Sequence, residues 1–486
     1  MAQATAQLDV DYLASAAISQ ALTIGASLAA LRDRSYATQT PLILLDVLVG
    51  IVDEVREQLL ALTSASRLTA AQRTELSALH DALEQVGGFA KYVVRSADPD
   101  VPWSLVYPFE DFFRRLTPDS RVIIYPAWGH SYTYTELMGP LYVLMRGIRE
   151  LPEGQPLPGH PRFLAALSFP PIQGPNILQN AAWGHEIAHH LDKVFGVSPR
   201  VLAGERFASH RLADPLISAA APDPVPVAGA PRDESDPDYE RAGQWESLLT
   251  VLVAWVRELV ADIFSVHIFG PASLFAFSEV ASTLAHGRPS GTHPPSWLRV
   301  GVMLNELRYL GYDKMLSCPP PGAVGAPVGA AVKDRLQILT EFAERGRAET
   351  VAGPQAARLT AMLLEAEGEI ARHVRDRVQG EWSCHAQTIV DDVFHLVERL
   401  ERWIPPCEVD EPGRPVGRAT SLAAIVNAGW FYRIWRGLDD PPRTAARAQS
   451  RHQDLVQLNE IVLKAIELRD IKDRLDARQR GATRDA

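Results

Sequence analysis

Five consecutive residues near the middle of the chain constrain its folding more than any other feature. His185, Glu186 and His189 form the pattern H-E-x-x-H inside the run from Trp183 to Asp192. On an α-helix, positions i and i+4 lie on one face, one above the other. Two imidazoles at that spacing can share a tetrahedral zinc ion, and the glutamate between them can deprotonate a zinc-bound water. The pattern therefore predicts a helix that holds most of a hydrolytic site. The alternative is a polar helix face with unrelated histidines.

A zinc site needs at least a third protein ligand, and the next strongly patterned segment offers one. Residues 246–269 have the spacing of a long apolar helix, with Glu258 and Asp262 four residues apart on one face. Such carboxylates need compensation because an unpaired buried charge is very costly. Zinc would compensate Glu258, and a histidine N–H would compensate Asp262 and fix the tautomer of that ring. In the alternative interpretation, Arg257 or another cation pairs with the carboxylates.

A third and weaker motif follows, because His293 and Pro294 precede Arg299 by a few residues. By itself this pattern is typical of a proline-rich turn before a helix, since proline is favoured in the first helical turn. Its interest lies in its position after the other two motifs.

In this order the three motifs resemble the zinc metallopeptidases that include the CAAX prenyl protease and the bacterial heat-shock protease HtpX. The resemblance covers residues 165–310 approximately. It implies a zincin-like core of the gluzincin type, with an active-site helix, a second ligand helix and a small sheet. It also implies a set of site roles. These are zinc ligation by His185, His189 and Glu258, general-base catalysis by Glu186, orientation of the first histidine by Asp262, a catalytic role for His293, and substrate binding by Arg299.

The chain departs from that family in one respect, because the well-known members have membrane-spanning helices. Its most apolar run, residues 248–256, is followed at once by Arg257 and Glu258, whereas a span needs about 20 apolar residues. We therefore expect no integral membrane segment. The departure argues against the substrates of the membrane members, prenylated proteins above all.

Composition restricts the class of protein and its partners. The chain has 486 residues, of which 47% are hydrophobic and 22% charged, which is typical of a globular protein with a large core. A net charge of −11 without basic blocks argues against nucleic acid as the main partner. The three scattered cysteines, Cys318, Cys384 and Cys407, offer no disulfide framework and fit a reducing compartment.

The first residues carry no basic segment of the kind that opens a signal peptide. Asp9 and Asp11 precede the apolar stretch 12–31, which serine, threonine and glutamine residues interrupt. We expect that stretch to form an amphipathic or buried helix, and we expect the protein to be cytoplasmic.

Two short strands are predicted before the active-site helix, at residues 121–126 and 163–169, from their β-branched and aromatic content and the prolines that end them. In zinc peptidases an edge strand beside the active-site helix binds the peptide by strand addition. Either strand could serve, and residues 163–169 are preferred because they lead into the helix. His130, in the turn between the strands, either faces the site or is an ordinary loop histidine.

Helix-capping signals delimit the active-site helix. Asn176 is a candidate N-cap, Val194 lies near the predicted end and Gly196 is a candidate C-cap. His190 lies off the face of the two ligand histidines, so it either supports the site or lies on the surface.

The chain as a whole is predicted to be α+β and mainly α. We expect a helical N-terminal region over residues 1–98, a metallopeptidase core over 99–316, a Pro/Gly/Ala linker over 317–332 and a helical C-terminal region over 333–486. Residues 213–241 are rich in Pro, Asp, Ala and Gly and predict a long loop, either a lid over the cleft or a solvated insertion.

The combined patterns favour a zinc-dependent peptidase that acts on protein or peptide substrates. The alternative is a protein that binds metal without proteolysis, has an interaction or regulatory role, and depends on its helical flanks. The sequence leaves the substrate and the oligomeric state open.

Overall fold

A computed structural model describes most of residues 2–482. The stretches outside the description are residues 1, 64–68, 100, 129–131, 150–160, 175, 205–206, 208–236, 284–289, 320–323, 350–353, 379–383, 411–416, 439, 441–443 and 483–486. His130 and most of the predicted loop 213–241 therefore lie outside the described residues. The chain forms two compact units, Met1–Gly174 and Pro175–Ala486.

The described part of the chain is mainly helical with small sheets, which confirms the mainly α prediction at that level. The unit boundary at Gly174 falls inside the stretch 99–316 that the sequence grouped as one core. The three cysteines are free thiols, of which Cys318 is exposed and the other two are buried.

The first unit begins with three long helices that pack on one another. Their bounds are α1 Ala2–Leu31, α2 Thr40–Thr63 and α3 Ala70–Ser96. Buried alanines of α1 and leucines and valines of α2 and α3 fill the space between them. Thr69 starts α3 with a capping box, in which its side chain and that of Gln72 each bind the other's backbone N–H.

One described helical stretch, Tyr12–Leu31 in α1, is long and apolar enough to cross a membrane by length and composition, with a mean hydropathy of 1.4. Only 22% of that stretch is buried. The core helix of a globular protein and an N-terminal signal sequence meet the same criterion, so the stretch is weak evidence for a membrane segment.

A three-stranded sheet follows in the same unit, with helices α4 Trp103–Leu116 and α5 Met138–Ile148. Its strands are β1 Ser120–Pro126, β2 Thr133–Glu136 and β3 Phe163–Phe169. The order is β1-β3-β2, with β1 parallel and β2 antiparallel to β3. The predicted strands correspond to β1 and β3, and β2 was not predicted because four half-exposed residues carry too little alternation to detect.

The preference for residues 163–169 as a peptide-binding edge strand is wrong. β3 is the central strand, so β1 and β2 already use the backbone groups on both of its edges. Apart from Phe163 its residues are buried, which is the pattern expected for a central strand covered on both faces.

The second unit contains the two predicted ligand helices. After a 3₁₀ turn at Gln179–Ala182, its elements are α6 Trp183–Phe195, α7 Val197–Leu202, α8 Pro237–Phe269, α9 Pro271–Thr283, α10 Ser296–Tyr309, α11 Tyr312–Ser317, α12 Gly325–Ala348, α13 Pro354–Arg375, α14 Ala386–Glu401, the two-stranded sheet β4 Glu408–Val409 and β5 Arg418–Ala419, α15 Leu422–Trp435 and α16 Ala445–Ala482. Helix α8 is almost completely buried over its second half, from Glu258 to Phe269, and packs extensively on α6.

The predicted linker 317–332 differs from the structure, since α12 begins at Gly325. Its proline, Pro327, lies in the first helical turn, where the missing N–H has no intrahelical partner to lose. The alanines that follow favour helix. In α15, Trp430 and Phe431 are fully buried and Trp435 is partly buried.

Candidate metal centre

The helix that carries the H-E-x-x-H pattern is delimited by local signals. The prediction of Asn176 as N-cap of α6 is wrong, because Ala182 occupies that position. Asn176 instead accepts a hydrogen bond from Gln179 N–H through its side chain at 3.3 Å, at the start of the 3₁₀ turn that leads into α6. Gly196 ends α6 in the left-handed conformation, at φ +60°, as its sequence position predicts. Between these signals His185 and His189 lie on one face, with their rings edge to face and their centroids 4.6 Å apart.

A glycine lets the two ligand helices approach closely. A Cβ on Gly184 would lie 2.7 Å from Cδ2 of Phe269, which is shorter than any real carbon–carbon contact of that kind. Phe269 is fully buried at the end of α8. The glycine that directly precedes His185 therefore lets the two helices approach at this crossing, a signal that the sequence prediction did not use.

Three donor groups converge between α6 and α8. His185 Nε2 and His189 Nε2 are 3.1 Å apart. The carboxylate of Glu258 lies 3.3 Å from the first nitrogen through Oε2 and 3.4 Å from the second through Oε1. Zinc binds histidine nitrogen and carboxylate oxygen at about 2.0–2.1 Å in tetrahedral sites, which places neighbouring ligand atoms about 3.3 Å apart. The spacing of the three donors therefore fits one metal ion, and these residues form a group that could hold one.

One carboxylate oxygen in this group lacks a hydrogen-bond donor. Glu258 Oε2 is buried and accepts no hydrogen bond within the described part of the chain. Arg299 Nη1 lies 3.0 Å away, and this contact is an ion pair without the alignment of a hydrogen bond. A buried carboxylate oxygen without a donor is costly in a protein interior, and a bound cation would satisfy it.

Asp262 lies one turn beyond Glu258 and contacts His185. Its Oδ1 is 3.0 Å from Nδ1 of that histidine, which is the contact predicted for a carboxylate that orients a metal-binding ring. A hydrogen on Nδ1 leaves the Nε2 lone pair directed at the donor group. Asp262 is fully buried and is not among the three residues of the donor group.

The cation that compensates the carboxylates is Arg299, and not Arg257, which is exposed. Arg299 donates from Nε to Asp262 Oδ2 and from Nη2 to Asp262 Oδ1, both at 2.7 Å. Its side chain is only 7% exposed. All three guanidinium nitrogens of Arg299 therefore face carboxylates of the protein. The substrate-binding role that the resemblance implied would have to share these nitrogens.

Burial and charge set the protonation of the cluster. Burial alone would raise the pKa of Glu258 and Asp262, but Arg299 and the histidines outweigh it and hold both pKa values below the ordinary range. For His185, burial and Arg299 lower the pKa, yet the neighbouring carboxylates of Asp262 and Glu258 raise it overall to about 10. Both carboxylates are thus ionised at neutral pH.

The formal charge of the site favours a divalent cation. Metal binding requires neutral imidazoles, and in that form Glu186, Glu258 and Asp262 contribute three formal negative charges and Arg299 one positive charge, a net charge of −2. Without a metal, the pKa of His185 of about 10 keeps a compensating proton on that ring at neutral pH. A divalent metal ion would bring the group to neutrality, which matters because these side chains are largely removed from water.

Glu186, the predicted base, is 9% exposed on the first turn of α6. It is near enough to Arg299 to contribute to raising the pKa of that guanidinium. Its carboxylate makes no hydrogen bond or ion pair to any residue that the structure describes. Among the described residues, the Glu186 carboxylate is therefore left available beside the candidate metal-binding group.

His293 lies at the rim of the site. Its Nε2 is 3.9 Å from Glu258 Oε2 and its side chain is 45% exposed. Thr292 Oγ1 lies 2.8 Å from His293 Nδ1, and Trp255 on α8 donates its indole N–H to Ser290 O at 2.9 Å. The turn before α10 is therefore attached to the ligand helix and directs the outer ring nitrogen of His293 towards the donor group.

His190 is fully buried, so the surface alternative for this residue is wrong. Burial, with a smaller contribution from Lys193, lowers the pKa of His190 to about 3. The ring is therefore neutral at physiological pH and belongs to the packed side of α6.

A half-buried aromatic residue that the sequence analysis did not single out completes the surroundings. Phe277 on α9 faces Arg299, with the guanidinium carbon 4.4 Å from its ring centroid.

We call the residues His185, His189, Glu258, Asp262 and Arg299 the metal cluster.

A second buried group of charges lies elsewhere in the same unit, and we call His267, Glu306 and Arg375 the ion-pair cluster. Glu306 accepts hydrogen bonds from Arg375 at 2.9 Å on Oε1 and 2.7 Å on Oε2, and His267 Nε2 lies 2.8 Å from Oε1. Tyr309 stacks on Arg375 at 3.4 Å. This cluster joins α8, α10 and α13.

No protein-family profile, no curated protein and no solved structure matches this chain. The resemblance to zinc metallopeptidases thus depends on the three motifs and on the geometry of the residues that they contain.

Proposed function

We propose that the protein is a zinc-dependent peptidase with a zincin-like core, acting on protein or peptide substrates. The observation that carries this proposal is the triangle of His185 Nε2, His189 Nε2 and the Glu258 carboxylate, with edges of 3.1 to 3.4 Å. Glu186 lies on the same helix with a carboxylate that no described residue engages in a hydrogen bond. A metal triad with an adjacent free glutamate is the arrangement that hydrolytic zinc sites use.

The residues present divide the work of peptide hydrolysis. Zinc held by His185, His189 and Glu258 would supply a Lewis acid that polarises the scissile carbonyl and acidifies water. Glu186 accepts the proton of the attacking water and passes it to the leaving amine. His293 offers a ring nitrogen at the rim, where the carbonyl oxygen gains negative charge.

The other members of the metal cluster act on the ligands. Asp262 fixes the ring of His185, and Arg299 holds Asp262 and Glu258 in place. The donor side chains are 11–21% exposed, so the group is not completely removed from solvent. Three protein ligands and one open side are what a catalytic zinc site requires, whereas a structural site has four.

A direct test compares the wild type with Glu186→Gln, which is nearly isosteric but cannot accept the proton. Both purified proteins are incubated with a denatured proteome, and new peptide termini are mapped by mass spectrometry. We expect wild-type protein loaded with zinc to generate termini that the variant does not. Equal termini from both proteins would remove Glu186 as the base, and none from a zinc-loaded wild type would overturn the peptidase proposal.

One observation favours the alternative, a metal-binding protein without proteolysis that serves interaction or regulation. Arg299 already neutralises part of the charge on Glu258 and Asp262, so the cluster has a stabilising cation of its own. Stoichiometric zinc in a wild-type protein that cleaves nothing in the proteome experiment would select this alternative.

A further inference from the structure

We propose that Phe277 is a positioning residue of the metal cluster, which tunes metal affinity by fixing the plane of the Arg299 guanidinium. The inference rests on the metal-binding part of the proposed function and is independent of peptidase activity. It gives a role to a side chain that lies outside all three sequence motifs.

Carboxylates and an aromatic ring together fix the guanidinium of Arg299. Its three guanidinium nitrogens all point at carboxylates, Nε and Nη2 at Asp262 and Nη1 at Glu258. These contacts fix the group within its own plane. The ring of Phe277 covers one face of the guanidinium at 4.4 Å, which is within the range of a cation–π interaction and restricts tilting out of the plane.

A tilt of the guanidinium would change the contact between Arg299 and Glu258. Among the described residues Glu258 Oε2 is buried without a hydrogen-bond donor, and Arg299 Nη1 faces it at 3.0 Å. A tilt of the guanidinium would move Nη1 relative to this oxygen, while the bidentate pair with Asp262 would act as the hinge. The position of a metal ligand therefore depends on the ring of Phe277 through one intervening side chain.

A matched stack lies in the same unit. Tyr309 lies over Arg375 at 3.4 Å, and Arg375 binds the buried carboxylate of Glu306. This is the same order of aromatic ring, guanidinium and carboxylate, and α10 contributes to both stacks through Arg299 and Tyr309. The carboxylate of the second stack is not part of the metal-binding group, so Tyr309 provides a control.

The experiment compares Phe277→Leu, Phe277→Tyr and Tyr309→Leu with the wild type in the full chain. Zinc dissociation constants are measured by competition with a chromogenic chelator, and the visible spectrum of the cobalt-substituted protein reports ligand geometry. We expect Phe277→Leu to weaken zinc binding by roughly three- to tenfold, the range that one cation–π contact supplies, and to alter the cobalt spectrum. Phe277→Tyr restores both, and Tyr309→Leu changes neither.

Three outcomes would overturn the inference. Phe277→Leu with wild-type affinity and spectrum would remove the positioning role, and an equal loss in Tyr309→Leu would assign the effect to general loosening of α10. If Phe277→Leu does not fold, as judged by circular dichroism, Phe277→Met takes its place, and wild-type zinc affinity there would remove the role as well. A wild-type protein that binds no zinc at all would instead overturn the metal site on which this inference rests.

Discussion

The metal cluster and the ion-pair cluster lie in the same unit, are largely buried and are both built from histidine, arginine and carboxylate side chains. They differ in how many of their carboxylate oxygens receive a hydrogen bond. In the ion-pair cluster both oxygens of Glu306 receive hydrogen bonds, and one carboxylate faces one guanidinium. In the metal cluster, no described residue donates a hydrogen bond to Glu258 Oε2, and the Nε2 atoms of the two histidines face each other at 3.1 Å.

The difference distinguishes a structural contact from a binding site. A buried cluster that satisfies its own donors and charges holds helices together and has nothing to offer a ligand. A cluster that holds a buried carboxylate oxygen without a described hydrogen-bond donor, as Glu258 Oε2 is here, carries a desolvation cost that a bound cation would relieve. Burial and ion pairs occur in both kinds of cluster and do not distinguish them. The number of hydrogen-bond donors available to each carboxylate oxygen does.

The largest expected effect is loss of metal from the metal cluster. Glu258→Ala removes a ligand, and we expect zinc affinity to fall by at least about a thousandfold, because two histidines make an incomplete tetrahedral site. Metal analysis of the dialysed protein measures this. The double variant His185→Ala/His189→Ala should also lose its zinc, and undiminished zinc in it would refute the ligand assignment.

Glu306→Gln tests the other side of the comparison. The change removes the buried charge that pairs with Arg375, whose side chain is 28% exposed and therefore partly screened, and we expect a loss of unfolding free energy of about 2–3 kcal/mol. Urea denaturation followed by circular dichroism measures the loss. Zinc content should stay at the wild-type level, and a parallel loss of zinc would show that the two clusters are not independent.

Asp262→Asn probes a residue that contacts a ligand without belonging to the donor group. We expect zinc binding to weaken by about 10- to 100-fold, because an amide orients the His185 ring less firmly and leaves the Arg299 charge uncompensated. Competition with a chelator measures the constant. A loss as large as that in Glu258→Ala would make Asp262 a direct ligand and would close the open side of the site.

The smallest expected effect is a pH dependence confined to the ion-pair cluster. Burial alone would raise the pKa of Glu306, but hydrogen bonds from His267 and Arg375 outweigh it and hold this pKa below its ordinary value. Its contribution to stability is therefore complete above the unfolded-state pKa of about 4.3 and is lost as the pH falls through the lower folded-state value. The stability difference between wild type and Glu306→Gln should shrink between pH 6 and pH 3, and a constant difference would contradict this.

The sequence predicted those parts of the fold that local pattern determines. The strand at residues 163–169 has the predicted bounds, and Gly196 ends α6 as predicted, because a run of apolar residues and a left-handed glycine act over short distances. Strand β2 and the helical start at Gly325 were missed. The strand has only four residues and little alternation, and the proline and glycines around residue 325 were interpreted as a linker although proline is compatible with a first helical turn.

For the candidate site, the sequence predicted the three donor residues but not the side chains that surround them. The spacing of the i, i+4 pairs made His185, His189 and Glu258 candidates, and the resemblance to the zinc metallopeptidases implied that they bind one ion together. The structure brings the three into one group that could hold a metal ion. For the cation that pairs with the carboxylates, the sequence suggested only Arg257 or another, unspecified cation. Arg299 could not be identified because its contact with Asp262 spans 37 positions and forms only in the folded chain. The role of Phe277 was missed for the same reason.

Gly184 shows why the motif and the site are separable. The five residues of H-E-x-x-H would survive the replacement of this neighbour by alanine unchanged, and a search by pattern would still find them. Yet the added methyl group would lie 2.7 Å from Cδ2 of Phe269, so either that ring or the spacing between α6 and α8 would have to change. The single hydrogen atom of this glycine therefore permits the close packing of the two helices that carry the donor triangle. Loss of metal binding in a related chain need not begin at any ligand.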